Sequence, residues 1–219
     1  MRIERFYLEF DRLMAVSDSH ERARSLACFL ESHGYRYGAR STENVLLIQQ
    51  HFPVNTLHRV LVNALRTPLP DMALNAFERL SGIVPHGQLM ALADRRKRLA
   101  QMIMICGSSP FLVNLLYKTP AAVSQLFLED KIDIRRTQDQ MLSELQARIG
   151  PLSDFPQLVR GLRQFKRLEI LRIAARDLNS LATLEEVTEE LSCLAAASLQ
   201  VAHDICRRIL TSEHGRPIM

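Results

Sequence analysis

At 219 residues, with 47% hydrophobic and 24% charged side chains, the chain can bury an adequate core and has an ordinary globular composition. A formal charge of +4 is a small basic excess, which permits nucleic acid or an acidic protein surface as a partner without requiring either. Aromatics at 6%, no Trp, and only 8 Gly and 9 Pro weigh against a sheet-rich fold, while Leu, Ala, Arg, Glu and Gln favour helices, so an all-α chain is expected.

The periodicity bears this out from the first residues. Ile3, Phe6, Tyr7, Phe10, Leu13 and Met14 follow the three-and-four spacing of an amphipathic helix. A second helix is predicted over 19–33, burying Ala23, Leu26, Ala27 and Leu30, with Gly34 as its stop. After a loop at 34–38, helices are predicted over 43–51 and 54–66, each closed by proline. Asp71 is placed to cap the next helix, whose stripe is Met72, Leu74, Ala76, Phe77 and Leu80. Residues 88–106 read as one longer helix, with Leu89, Leu92, Leu99, Met102 and Ile103 opposite a basic cluster, Arg95 to Arg98.

Ser109-Pro110 and Thr119-Pro120 each pair an N-cap residue with a proline at the first helical position, starting helices over 111–117 and 121–128. A polar helix over 133–149 ends at Gly150-Pro151, and a long one runs from about Asp154 to Leu178. Thr183 and Glu186 form a capping box for the last helix, whose predicted stripe is Leu184, Val187, Leu191, Leu194, Ser198, Val201 and Ile205. Residues after Leu210 read as a loop. The expected architecture is therefore all-α: an array of short helix pairs over 1–87, then a bundle with two long C-terminal helices over 88–219.

Chemical motifs are few. Cys28, Cys106, Cys193 and Cys206 form no CxxC pair, and each has apolar neighbours, so buried reduced thiols are expected. Cys206 and His203 are one helical turn apart, but two ligands do not make a zinc site. No run reaches the ~18 apolar residues of a membrane span, and the N-terminus lacks a signal-peptide core, so a cytoplasmic location is expected. Gly107-Ser-Ser-Pro110 lacks a phosphate-loop lysine and reads as helix capping. No Asp-x-Asp pair is present for two-metal nucleotidyl transfer; Asp130 and Asp133 are three apart. The cluster 95–98 offers a nucleic-acid reading, against which stands a plain solvated helix face.

The most informative stretch is 162–178. Arg172 and Arg176 are four apart and share a helix face; Glu169 can pair with Arg172, and Asp177 points to another side. One reading is an ion-pair network to Glu185, Glu186, Glu189 and Glu190 of the next helix. The other makes Arg172, Arg176 and Asp177 candidates for a nucleotide flank or a domain junction.

Phe165-Lys-Arg-Leu-Glu-Ile-Leu-Arg-Ile-Ala-Ala-Arg-Asp-Leu178, followed by Leu184-Glu-Glu-Val-Thr-Glu-Glu-Leu-Ser-Cys-Leu-Ala195, resembles the bacterial glutamine synthetase adenylyltransferase family. The segments 71–80 and 107–112, with Pro120, resemble that family's helical lead-in, so the likeness covers about 71–219. It implies a helical region ahead of a nucleotidyltransferase domain whose metal site has a Ser-Asp-x-Asp motif. His214-Gly-Arg-Pro217 resembles the loop before that domain, and the sequence stops there. No catalytic carboxylate of the family has a counterpart in this chain, so no catalytic or metal residue is assigned. The resemblance implies transfer or removal of AMP on glutamine synthetase with ATP and Mg²⁺ in the full-length family, under a nitrogen-signalling protein. By itself the chain is expected to be inactive. The alternative is a stand-alone helical adaptor for a protein partner, with neither membrane nor nucleic acid as partner.

Overall fold

The computed structural model describes residues 3–150 and 154–215, and among these there are twelve α-helices and no strand. By compactness the chain divides into two units, 1–131 and 132–219, where the pattern of helix lengths had suggested a division at 87/88.

In the first unit the helices are α1 (Ile3–Met14), α2 (Ser19–Ser32), α3 (Gly38–Gln49), α4 (Val54–Ala64), α5 (Pro70–Ser81), α6 (His86–Asp94), α7 (Arg96–Cys106), α8 (Pro110–Lys118) and α9 (Ala121–Val123). The last continues into a wide π-type turn, Ser124–Leu128. Helix α7 is the hub. It packs against α4, α5, α6, α8 and the π-turn, and Leu99, Met102, Ile103, Ile105 and Cys106 are all fully enclosed. Residues 88–106 therefore share one core with the helices before them.

Several predicted details change. The segment 88–106 is not one helix, because Arg95 leaves helical geometry at φ −90°, ψ 80°. Asp71 does not cap α5, whose N-cap is Leu69. Its carboxylate instead accepts from the Arg36 and Tyr37 amides at 2.8 and 3.0 Å and from Ser41 Oγ at 2.8 Å. That bond set pins the 34–38 loop to α5, and α3 starts five residues earlier than predicted. Ser109 is the N-cap of α8 but makes no side-chain cap bond. The glycine two residues before it has a different role: a Cβ on Gly107 would sit 2.1 Å from Thr67 Oγ1. Only Cys106 is a buried thiol; Cys28 and Cys206 are exposed and Cys193 is half-buried.

The second unit is a three-helix assembly of α10 (Gln138–Ile149), α11 (Phe155–Leu178) and α12 (Leu184–His214). Helix α12 carries the capping box read from the sequence, with Thr183 and Glu186 bonding reciprocally. At 31 residues it is about 46 Å long and runs through His214, so residues 211–214 are helical where a loop was expected. The expectations for Pro151 and for Arg216 to Met219 fall outside the described residues. Helix α10 starts only at Gln138, because 134–137 is extended and Thr137 caps it with Gln140.

The core of this unit joins Met141, Leu145, Leu158, Phe165, Ile173, Leu194 and Val201. The buried stripe of α12 is Val187, Glu190, Leu194, Ala197, Val201 and Ile205. Leu184 and Leu191, expected inside, are 72% and 45% exposed, and a glutamate takes a place in the stripe.

Candidate functional site

Glu190 is buried because two arginines lie buried with it. Arg172 and Arg176, one turn apart on α11, are 2% and 4% exposed, and Glu169 and Glu190 are each 1% exposed. Two guanidiniums and two carboxylates balance in charge, which is the condition for removing them from water. Arg172 Nε donates to Glu169 Oε2 at 3.0 Å, and its Nη1 donates to the Ile134 carbonyl at 2.6 Å. Its Nη2 lies 2.6 Å from Glu190 Oε1 and 2.9 Å from Glu169 Oε2, close enough for ion pairing but off the hydrogen-bond line. Arg176 Nε donates to Glu190 Oε2 at 3.1 Å, and its Nη1 donates to the Asp133 carbonyl at 3.0 Å.

Two residues the sequence reading passed over complete the cluster. Arg136 Nη1 donates to Glu169 Oε1 at 2.6 Å, its Nη2 pairs with Glu144 of α10, and its backbone amide donates to Glu190 Oε1 at 2.9 Å. Burial works against the Arg136 charge, but Glu169 and Glu144 more than offset it and hold the guanidinium above its ordinary value. Burial likewise works against the Glu144 carboxylate, yet bonds from Arg136 and Arg148 bring it below the usual carboxylate range. Arg135 extends the network over the surface to Glu186 and Glu189 at 3.3 and 2.5 Å. Asp177 is exposed and lies away from it.

The arrangement is a clamp. Helices α10, α11 and α12 and the segment 132–137, a short 3-10 turn running into an irregular strap at 134–137, each supply charged groups or carbonyls to one cluster. The carbonyls of Asp133 and Ile134 accept from Arg176 and Arg172, which ties this segment to α11. Arg172 and Arg176 turn toward these intrachain partners and not toward solvent. A Glu at 169 and another at 190, in register with Arg172 and Arg176, were legible as ion-pair candidates; Arg135 and Arg136 carry no helical signal and were not.

The stretch that builds this clamp lies within residues 99–219, which match the family described as glutamate-ammonia ligase adenylyltransferase. That is more than half of the 219 residues. The chain belongs to this family.

Among curated relatives, the bifunctional glutamine synthetase adenylyltransferase/adenylyl-removing enzyme of Pseudomonas aeruginosa is 27% identical over 164 residues, covering 73% of this chain and 17% of the relative. The enzyme of that name from Nitrosococcus oceani is 26% identical over 211 residues, covering 89% of this chain and 22% of its own length. The chain thus spans roughly a fifth of the length of these glutamine synthetase adenylyltransferase relatives. No solved structure matches it. Among the described residues of this family member, no three His, Cys, Asp or Glu side chains assemble where they could hold a metal ion, and no single helix is long and apolar enough to cross a membrane.

Proposed function

We propose that this chain is a helical, non-catalytic part of a glutamine synthetase adenylyltransferase, in which residues 132–215 support and orient a nucleotidyltransferase domain. The observation that carries the reading is the buried four-charge clamp of Arg172, Arg176, Glu169 and Glu190, built inside the family-matched stretch. Such a cluster fixes register more than it adds stability, because burying charges costs about as much as pairing them returns. Register is what a supporting element needs. In this reading Arg172 and Arg176 are positioning residues of a domain junction, and Asp177 is an exposed neighbour with no assigned step.

ATP and Mg²⁺ would then be held by the nucleotidyltransferase domain. The donor set here does not fit Mg²⁺, having neither an Asp-x-Asp pair nor a metal-holding carboxylate cluster among the described residues. Glutamine synthetase and a nitrogen-signalling protein are the partners this reading implies, in the cytoplasm.

The test pairs this chain with the nucleotidyltransferase domain of the Pseudomonas aeruginosa relative and measures AMP transfer to glutamine synthetase. Activity should rise when the chain is added and should be absent with the chain alone. Equal activity with and without the chain would sink the reading.

A second reading, a helical adaptor for a protein partner, is favoured by one observation. Leu184, Leu191, Leu199 and Leu210 of α12 are all exposed, and with Thr188, Ala195, Ala202 and Cys206 they recur in steps of three and four along one side. Direct binding of glutamine synthetase to this chain, abolished by Leu191→Glu with Leu199→Glu, would favour the adaptor.

A further inference from the structure

The basic cluster 95–98 is split by the break between α6 and α7, and its two halves do different things. Arg95 and Arg98 turn to Asp130: Arg98 Nε donates to Asp130 Oδ1 at 2.9 Å, and Arg95 Nη1 lies 3.2 Å from the same oxygen. Arg95 Nη1 also donates to the Leu128 carbonyl at 2.9 Å. These two are structural. Arg96 and Lys97 instead line a cleft of about 570 Å³ between α1, α4 and α7, all within the first unit.

That cleft has four cationic side chains, Arg59, Arg66, Arg96 and Lys97, and no Asp or Glu lines it. Arg59 is held by the Asn55 and Ala93 carbonyls at 3.2 and 2.5 Å, which fixes its guanidinium at the wall. Arg66, Arg96 and Lys97 have no side-chain partner among the described residues. The amides of Asn55 and Asn63 are further polar groups in the lining. Tyr7 lies against His58, their rings stacked at 4.3 Å and 8°, and the half-exposed Asp11 bonds His58 Nε2 at 2.6 Å.

Arg96 and Lys97 are also the first two residues of α7. Cations there oppose the helix dipole, which favours negative charge at an N-terminus. No acidic residue occupies the first turn, and no side chain caps it. Like charges gathered at a positive helix end, facing a cleft that no Asp or Glu lines, form a site that an anion would complete. The volume lies within the range of small-molecule pockets, and the single aromatic pair is unlike the row of stacking rings that a single-stranded nucleic acid uses.

We infer that this cleft binds a small ligand bearing two or more phosphate groups, seated between Arg66, Arg96 and Lys97. The site is separate from the clamp and, apart from Ala100, from the family-matched stretch, so it does not depend on the function proposed above.

Inorganic tripolyphosphate, titrated calorimetrically into the full chain without divalent metal and at constant ionic strength, tests it. Saturable one-to-one binding is expected. Arg96→Gln with Lys97→Gln should weaken it about tenfold or more, the scale of losing one or two charge-assisted bonds. Arg163→Gln with Lys166→Gln, exposed on α11, should leave it unchanged. Both double variants should keep the parent helicity and melting temperature, since all four side chains are exposed. Absence of saturable binding, or an equal loss in both variants, overturns the inference. So does a single-stranded oligonucleotide whose affinity climbs steadily with length and depends on Arg96 and Lys97.

Discussion

Glu190 sits at the centre of the clamp, accepting from the Arg136 amide and Arg176 Nε while lying 2.6 Å from Arg172 Nη2. Removing its charge leaves two buried guanidiniums with one buried carboxylate between them. Glu190→Gln keeps the shape and should cost about 3–5 kcal/mol, the scale for an uncompensated buried charge. Urea unfolding would read this as a lowered midpoint at unchanged slope; a change below about 1 kcal/mol would mean water already reaches the cluster. The thiols give a second residue-scale prediction. Under native conditions Cys28 and Cys206 should react rapidly with a thiol reagent and Cys193 more slowly. Cys106 should react only after denaturation, because burial pushes its pKa up to about 12 and the thiolate is the nucleophile. Exposure could not be read from apolar neighbours in sequence. Cys28 and Cys206 fall on outward sides of their helices, a matter of angle around the helix axis.

At the scale of elements, helices were legible where a local signal starts or stops them. Thr183 and Glu186 announce α12, and Gly34, at φ 113°, lies just beyond α2. Where distant groups decide, the sequence is mute. Arg95 breaks α6 from α7 without glycine or proline, its side chain drawn to the Leu128 carbonyl and Asp130. Arginines from α11 take the Asp133 and Ile134 carbonyls where the chain leaves a short 3-10 turn for the non-helical 134–137 strap, and Asp71 leaves its capping role for a loop 34 residues away. The site was half legible for the same reason: Arg172 and Glu190 lie on strongly periodic helices, and Arg136 does not. Helix approach makes a further prediction. A Cβ on Gly38 would stand 2.4 Å from the Ala27 carbonyl and 2.7 Å from the Glu31 side chain, forcing α2 and α3 apart. Gly38→Ala should therefore cost about 1–3 kcal/mol. Gly87→Ala, in α6 with nothing within 4 Å of the added methyl, should be neutral or stabilise by up to about 1 kcal/mol. Thermal melts of the two variants should move in opposite directions or differ by several degrees.

At the scale of the whole molecule, two compact units carry titrating groups of opposite tendency, so their stabilities should fail at opposite ends of the pH range. In the first unit Cys106 is raised from 9.0 to about 12 by burial, and Tyr35, also raised by burial with Asp71 adding to it, acts in the same direction. A raised acid binds its proton more tightly when folded. Its contribution is intact below the unfolded value and is lost as pH climbs from about 9 toward 12. In the second unit Glu144 is lowered by Arg136 and Arg148 despite burial. Its contribution is intact above the ordinary 4.5 and is lost as pH falls through the folded value beneath it. Melting temperature measured against pH separates the two. Cys106→Ala should flatten the alkaline limb and leave the acid limb as it was, while Glu144→Gln should flatten the acid limb alone. If Cys106→Ala left the alkaline limb as steep as before, or Glu144→Gln the acid limb, the group named would not be the one that sets that limb.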